Sequence, residues 1–381
     1  MGTWAQQVAE PWLLLSLGAS SFLVGVDAFA LDAPGWLLTL VGGVLADRAD
    51  RRRVITLFQS IQMLCPTLLV VLLVTGAVRP WMIIGLSLIV GVTDALSMPS
   101  FQTIVPTIVQ REQIGAGLAL SSTQFNLSRI LGPALAGLLM ARAGATACFA
   151  ANAASYVPFI LVALWILPRS TQQGAPRLDG RDPLVGAGIA LRDPQLRGAL
   201  LTVLVTSLFC TPLVTFCPVL VKNVFHGDAS LFSLTISAFG VGGLLGATSM
   251  LSMDGARNLR RRSTWAALAL AVIVMLASLS PWFWGLPVLL VLAGGAMNLS
   301  NIPANTLLQS SADPRLRGQT ISLYMLALRG GASLGNLFTG LSVSAVGPRH
   351  ALLINGALAV LLQLAIGRAW FRSSRPPPAV A

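Results

Sequence analysis

The chain has 381 residues, of which 55% are apolar and only 10% charged, with a mean hydropathy of +0.78. An ordinary soluble domain carries about 25% charge. With 25 basic against 13 acidic residues the formal net charge is +12. This composition excludes an ordinary soluble domain and points to a polytopic membrane protein.

Apolar stretches long enough for the ~20 residues of a bilayer-crossing helix recur along the chain. The weak alternation of a closed barrel is absent from the pattern, so the spans read as helices. Twelve are predicted, at 1–17, 20–45, 54–76, 80–105, 115–140, 146–167, 198–221, 229–253, 264–280, 286–308, 319–343 and 349–371. The first is short and lacks a basic inner flank, which predicts a truncated first helix and a natural chain that begins upstream of Met1. After the second span comes "GGVLADRADRRRVI", Gly42 to Ile55, with six charged side chains in the seven positions from Asp47 to Arg53. A soluble amphipathic helix would spread such charge along one face. Here it sits at one level.

If the stretch between the sixth and seventh spans is cytoplasmic, the loops on its side hold nineteen of the 25 basic residues, from Arg48 to Arg375. The opposite loops hold Arg79, Arg142, Lys222 and Arg349. The asymmetry follows the positive-inside rule and predicts a multi-pass protein of the cell membrane with both termini in the cytoplasm. It also turns the basic pI toward anionic lipid headgroups of the bilayer and away from nucleic acid. Cys65, Cys148, Cys210 and Cys217 all fall within predicted spans and show no metal-ligand spacing.

The polar stretch at 169–197, rich in Pro and Gly and with a short amphipathic helix, divides the chain into six-helix bundles at 1–168 and 198–381. At an offset of 203, Leu131-Gly132 aligns with Leu334-Gly335, Gly137-Leu138 with Gly340-Leu341, Gly144 with Gly347, and Asn152 with Asn355. Parallel six-helix repeats describe a secondary-transporter architecture whose substrate site lies at the repeat interface near the bilayer midplane.

The loop at 42–55 resembles the motif G-x-L-x-D-R-x-G-R-R of the major facilitator superfamily. Gly43, Leu45, Asp47, Arg48, Arg51 and Arg52 match it, and Asp50 departs from the usual Gly. The D-R-x-D-R-R-R variant, "MPSFQTIVPTIV" and "NLSRILGPALAG" are similar to the drug:proton antiporter branch, which includes macrolide-efflux and enterobactin-exporter proteins. The resemblance implies the twelve-helix fold of that superfamily. It also implies that Asp47 is a conformational latch, docking against the partial positive charge of a helix N-terminus, with Arg48, Arg51 and Arg52 as its partners. "ILGPALAG" resembles the antiporter signature G-P-x-x-G-G, with Gly132, Pro133 and Gly137 matching. By the same resemblance, spans 1–17, 80–105, 198–221 and 286–308 line the central cavity.

Ionisable residues at membrane depth are costly unless paired or hydrated, and so mark function. Glu10, Asp27, Asp32, Asp94, Arg129 and Arg329 lie at such depth. Glu10 continues a stripe with Thr3, Gln6 and Gln7 at the spacing of one helical face. Glu10 is the first candidate for proton coupling, Asp32 the second, and Asp94 with Arg129 the third, because Asp94 and Arg129 also suit a buried ion pair. Asp27 sits nearer the outer surface, where either hydration or a function accounts for it. Cavity candidates are Gln7, Ser207, Thr211, Asn298, Asn301, Asn305 and Arg329; the amides and hydroxyls also suit bonds between helices.

A phosphate-binding G-x-x-x-x-G-K-[ST] loop is absent, and Lys222 is the only lysine. "GVGGLLG" at 240–246 is an incomplete dinucleotide motif inside a span, better explained by close helix packing. No metal cluster or nucleophile–base pair emerges, so neither an enzyme nor a cofactor is expected. The reading is therefore a monomeric secondary transporter that exchanges protons for an amphiphilic small molecule. An uptake permease of the same fold and a transport-inactive receptor or scaffold are the alternatives.

Overall fold

The computed structural model describes the chain outside residues 1, 39–40, 42–44, 46–48, 103, 105–107, 111–112, 167–192, 251–258, 312–316 and 373–381. Its regular structure is helical, with no strand among the described residues. The first helices are α1 (Gly2–Ser16), α2 (Ser21–Leu37), α3 (Arg51–Val74), α4 (Pro80–Gln102) and α5 (Ile114–Ile166). They are followed by α6 (Pro194–Phe209), α7 (Ala229–Ser249), α8 (Leu259–Leu279), α9 (Gly285–Ser311), α10 (Arg317–Met325), α11 (Gly331–Val346) and α12 (Pro348–Arg372). Short helical pieces at Pro212–Thr215 and Cys217–Val219 precede a π-turn at Leu220–Val224, and a second π-turn, Leu326–Gly330, joins α10 to α11.

Eight helices among the described residues are long and apolar enough to cross a membrane. The difference from the twelve expected spans has local causes. α1 has 15 residues and α2 has 17, fewer than the ~20 that a span needs. α5 runs through the predicted break between 115–140 and 146–167, but Gly144 inside it takes φ +74, a left-handed conformation open to glycine, and divides it into two arms. The predicted span at 319–343 is interrupted by the π-turn at Leu326–Gly330.

Helix starts are set by acids. Asp50 accepts a hydrogen bond from Arg52 N at 2.9 Å and caps α3. Asp193 does the same for α6 through Gln195 N at 2.7 Å, with Pro194 in the first turn, and Asp228 accepts from Leu231 N at 2.9 Å at the start of α7. The departure from the motif Gly at position 50 therefore has a structural use. An N-cap Asp replaced by Ala loses about 1 kcal/mol, and by Gly only a few tenths. Asp50→Ala should lower the thermal unfolding temperature in detergent and Asp50→Gly should leave it nearly unchanged.

The outer surface suits lipid. Leu, Val and Ile side chains such as Leu57, Val74, Leu161 and Leu361 are exposed along the helices. Exposed Trp81, Trp165, Trp282 and Trp284 sit at or just beyond helix ends, as interfacial anchors do.

The chain divides into two compact units, Met1–Arg177 with Thr215–Gly240, and Leu178–Val214 with Val241–Ala381. In the first, α1 packs on α5, α2 on α4, and α3 on both α4 and α5. Gly91 of α4 lies directly against the Leu31 carbonyl of α2, leaving no room for a side chain. The Trp12 ring of α1 stacks on Phe232 with centroids 5.8 Å apart, and the Lys222 ammonium lies 5.7 Å from the Trp12 ring centre. In the second unit α6 packs against α8, α9, α11 and α12. Leu196, Leu200, Val203, Leu308, Tyr324 and Trp370 form a buried cluster there. Gly242 meets the Val291 carbonyl of α9, and a Cβ at Gly246 would lie 2.6 Å from the Gly295 carbonyl, which is the close packing expected of "GVGGLLG".

Candidate functional site

The Thr3, Gln6, Gln7 and Glu10 spacing puts polar groups along α1, and helix packing sorts them. Gln7 is exposed, whereas Glu10 is 6% exposed and faces α2 and α4. Ser87 Oγ of α4 lies 2.6 Å from Glu10 Oε1 and 2.7 Å from Asp27 Oδ1 of α2. Asp27 and Ser87 are buried as well. Gln6 Nε2 donates to Glu10 Oε2 at 3.4 Å, and Asn152 Nδ2 of α5 donates to Gln6 Oε1 at 2.5 Å. Ser155 Oγ donates to the Asn152 carbonyl at 2.7 Å. Four helices thus converge on a polar centre inside the first unit.

The centre holds two carboxyls on one hydroxyl. Full charges about 5 Å apart would repel by about 3 kcal/mol at an effective dielectric constant near 20. Among the described residues no Lys or Arg forms an ion pair with Glu10 or Asp27. Such a site suits the taking up and giving up of protons better than the holding of two fixed charges.

The other sequence candidates are placed elsewhere. Asp32 and Asp94 are half-buried, and each has an interaction partner. Asp94 lies near the buried Tyr156. The Arg129 side chain lies outside the described residues, and with it the expected pairing to Asp94. Gly43, Asp47 and Arg48 of the latch motif also lie outside them, as does the Arg51 side chain; Arg52 lies in the first turn of α3. Gly132, Pro133 and Gly137 are buried on the first arm of α5. A Cβ at Gly137 would lie 2.5 Å from Ser233 Cβ of α7, so the small residue permits that contact.

In the second unit the Asn stripe on α9 divides by partner. Asn298 Nδ2 donates to the Gly243 carbonyl at 2.5 Å, and Asn305 Oδ1 accepts from Gln309 Nε2 at 3.0 Å. Ser207 Oγ, Thr211 Oγ1 and Asn301 Oδ1 are buried without a hydrogen-bond partner among the described residues. Leaving such a group unsatisfied costs about 1–3 kcal/mol. Arg329 sits on the π-turn before α11, an element frequent at functional sites.

Comparison with known proteins supplies the lineage. The chain is 24% identical over 249 residues to the staphyloferrin A transporter of Staphylococcus aureus, covering 64% of this chain and 62% of that one. It is 28% identical over 375 residues to the multidrug efflux pump Tap of Mycolicibacterium fortuitum, covering 93% and 88% of the two chains. Its fold is similar to the crystal structure of the nucleoside transporter NupG, with a TM-score of 0.72 at 17% identity over 97% of this chain and 95% of that chain. Among the described residues, helical folding and multiple helices of membrane-crossing length agree with transport across a membrane. Residues 1–374 match the major facilitator family described as "transmembrane secretion effector", and the chain belongs to that family of membrane transporters.

Proposed function

We propose that this protein is a proton-coupled exporter of amphiphilic small molecules, working by alternating access around a midplane site. The observation that carries the proposal is the buried carboxyl of Glu10, held by side chains of α1 and α4 at membrane depth in a member of a transporter family. A proton-coupled transporter needs such a group to take a proton on one side and release it on the other. A relative named as a multidrug efflux pump supports export of drug-like molecules, and one named as a staphyloferrin A transporter supports a small-molecule substrate. The unsatisfied Ser207, Thr211 and Asn301 atoms offer hydrogen bonds to the polar part of such a substrate, with Asn298, Asn305, Gln7 and Arg329 as further cavity residues.

The proposed chain crosses the cell membrane twelve times as a monomer, with six-helix bundles at 1–168 and 198–381, a cytoplasmic linker at 169–197 and both termini in the cytoplasm. Positions 203 residues apart support the two-repeat layout. Gly144 and Gly347 both take positive φ, and Asn152 and Asn355 are both buried, Asn355 Nδ2 donating to Thr339 Oγ1 at 2.8 Å. Asp32, Asp94 and Arg129 are secondary coupling groups in this scheme.

Asp47, with Gly43, Arg48, Arg51 and Arg52, forms the cytoplasmic latch that favours the outward-open state. Asp47→Asn should lose a charge-to-dipole attraction of about 0.3–1 kcal/mol when exposed and up to ~2 when partly buried. Cysteine labelling from each side should then show more inward-open protein; unchanged accessibility would leave the motif a topogenic role only. Export itself is tested on a transporter-depleted strain with a panel of fluorescent amphiphilic dyes. Expression should lower dye content in energised cells and a protonophore should restore it. Energy-dependent accumulation would instead mark an uptake permease.

A further inference from the structure

We infer that Glu10, Ser87 and Asp27 form one shared proton site, whose bridge through the Ser87 hydroxyl stays closed only while the two carboxyls hold at least one proton between them. Its use in transport rests on the proton-coupled reading above; its geometry does not. A hydroxyl has one proton to donate and two lone pairs, and an ionised carboxylate can only accept. Ser87 Oγ is at hydrogen-bond distance from both Glu10 Oε1, 2.6 Å, and Asp27 Oδ1, 2.7 Å. It can donate to one of them. The other contact is then a hydrogen bond only if that carboxyl is an acid donating to Oγ. If Ser87 instead gives its proton to the Ile83 carbonyl, 3.1 Å away, both carboxyls must be acids. Every arrangement that satisfies both contacts places a proton on the pair.

With one proton, the acid on Glu10 donates to Ser87 Oγ, and the Ser87 hydroxyl donates to the Asp27 carboxylate. The proton can cross the bridge without a charged serine. The Glu10 proton passes to Oγ as the Ser87 proton passes to Asp27, and the trio carries a single negative charge before and after. Loss of the last proton to water leaves two carboxylates and one donor. One short contact then opens, and the tie between α1, α2 and α4 is lost. Proton release is in this way coupled to a movement among the helices that surround the site.

The groups facing the pair do not replace that proton. Gln6 on α1 donates to the far oxygen of Glu10. Cys65 on α3 lies near Glu10, and Tyr156 on α5 lies near Thr3, Asn152 and Asp94; neither is a cation. A glutamine or asparagine at either carboxyl position can donate its amide to Ser87 and let Ser87 donate to the remaining carboxylate. Glu10→Gln and Asp27→Asn therefore both mimic the protonated member and remove the need for a held proton.

Difference infrared spectroscopy of the purified protein in lipid reads the carbonyl stretch of a protonated carboxyl directly. Wild type should show one such band at neutral pH that Glu10→Gln, Asp27→Asn and the double variant each remove to the same extent. Ser87→Thr, which keeps the hydroxyl, should retain the band. Size-exclusion profiles establish which variants are folded, and the wild-type band stands without any of them. Absence of the band in wild type, or its survival in folded Asp27→Asn, would overturn the shared site. Dye efflux indifferent to a protonophore, with the bands as expected, would refute proton-coupled export and leave the shared site standing.

Discussion

Glu10→Gln should abolish proton-driven efflux and leave downhill exchange of substrate intact. The substitution preserves the shape of the side chain and its reach to Ser87, 2.6 Å from Glu10 Oε1 in the wild type, while removing its titration. Without a titrating group the transporter can still bind substrate and change access, but no proton moves against the substrate. Each pH unit across the membrane supplies about 1.4 kcal/mol per proton, or about tenfold in the substrate ratio that one proton can sustain. At a gradient of one pH unit the wild type should reach a ratio near that limit, and the variant none. Exchange of labelled for unlabelled dye at equal concentrations should continue in the variant. If Glu10→Gln concentrates substrate at the normal rate and pH dependence, Glu10 is not the carrier and Asp32→Asn is the next test.

Gly242→Leu should nearly eliminate folded protein. Gly242 on α7 meets the Val291 carbonyl of α9, and Gly246, one turn on, meets the Gly295 carbonyl, so backbone faces backbone along the seam. A leucine there forces the helices apart. Overpacking costs 1–3 kcal/mol, occasionally more, when flexible side chains can give way; here a backbone carbonyl stands in the way. Separation also breaks the bond from Asn298 Nδ2 to the Gly243 carbonyl, a class worth about 0.6 kcal/mol within membranes. Against a total stability of about 5–15 kcal/mol the sum is large. Gly246→Ala adds one methyl group at 2.6 Å from the Gly295 carbonyl and should be intermediate. Fluorescence-detected size exclusion of tagged protein measures both, and a normal monodisperse yield of Gly242→Leu would contradict the close approach.

What the sequence made legible follows from what one helix can reveal. Small residues four apart in "GVGGLLG" announce close packing without any knowledge of the partner, and α9 is the partner found. The polar stripe ending at Glu10 is likewise a property of α1 alone, although packing buries Glu10 and leaves Gln7 exposed. Ser87 and Asp27 were not legible as partners, because their meeting depends on how three helices are rotated about their axes. A signal was nonetheless present. Glu10 lies seven residues before position 17, Asp27 seven after position 20 and Ser87 seven after position 80, all outward ends of predicted spans, which puts them at one depth of about 10 Å. Comparing depths across spans, instead of judging each acid against its own, would have joined them.

Other differences have equally local origins. Asp50 reads as a departure from a motif, yet it caps α3, a role that depends on where the helix begins. Asn298 reads as a cavity residue, and the sequence does not show that its amide is also bonded to the α7 backbone that the glycines let approach. Hydropathy cannot register the π-turn at Leu326–Gly330, since a turn of four apolar or small residues and Arg329 has much the composition of the span around it.

Proton-coupled export is tested most directly in inside-out vesicles with an acidic lumen, the lumen corresponding to the outer side of the cell. Addition of a transported dye should make the lumen more alkaline as protons leave against entering dye, dye should concentrate inside, and both effects should vanish with a protonophore and with Glu10→Gln. Dye concentrated in the lumen with no change in luminal pH and no sensitivity to the protonophore would contradict the proposal.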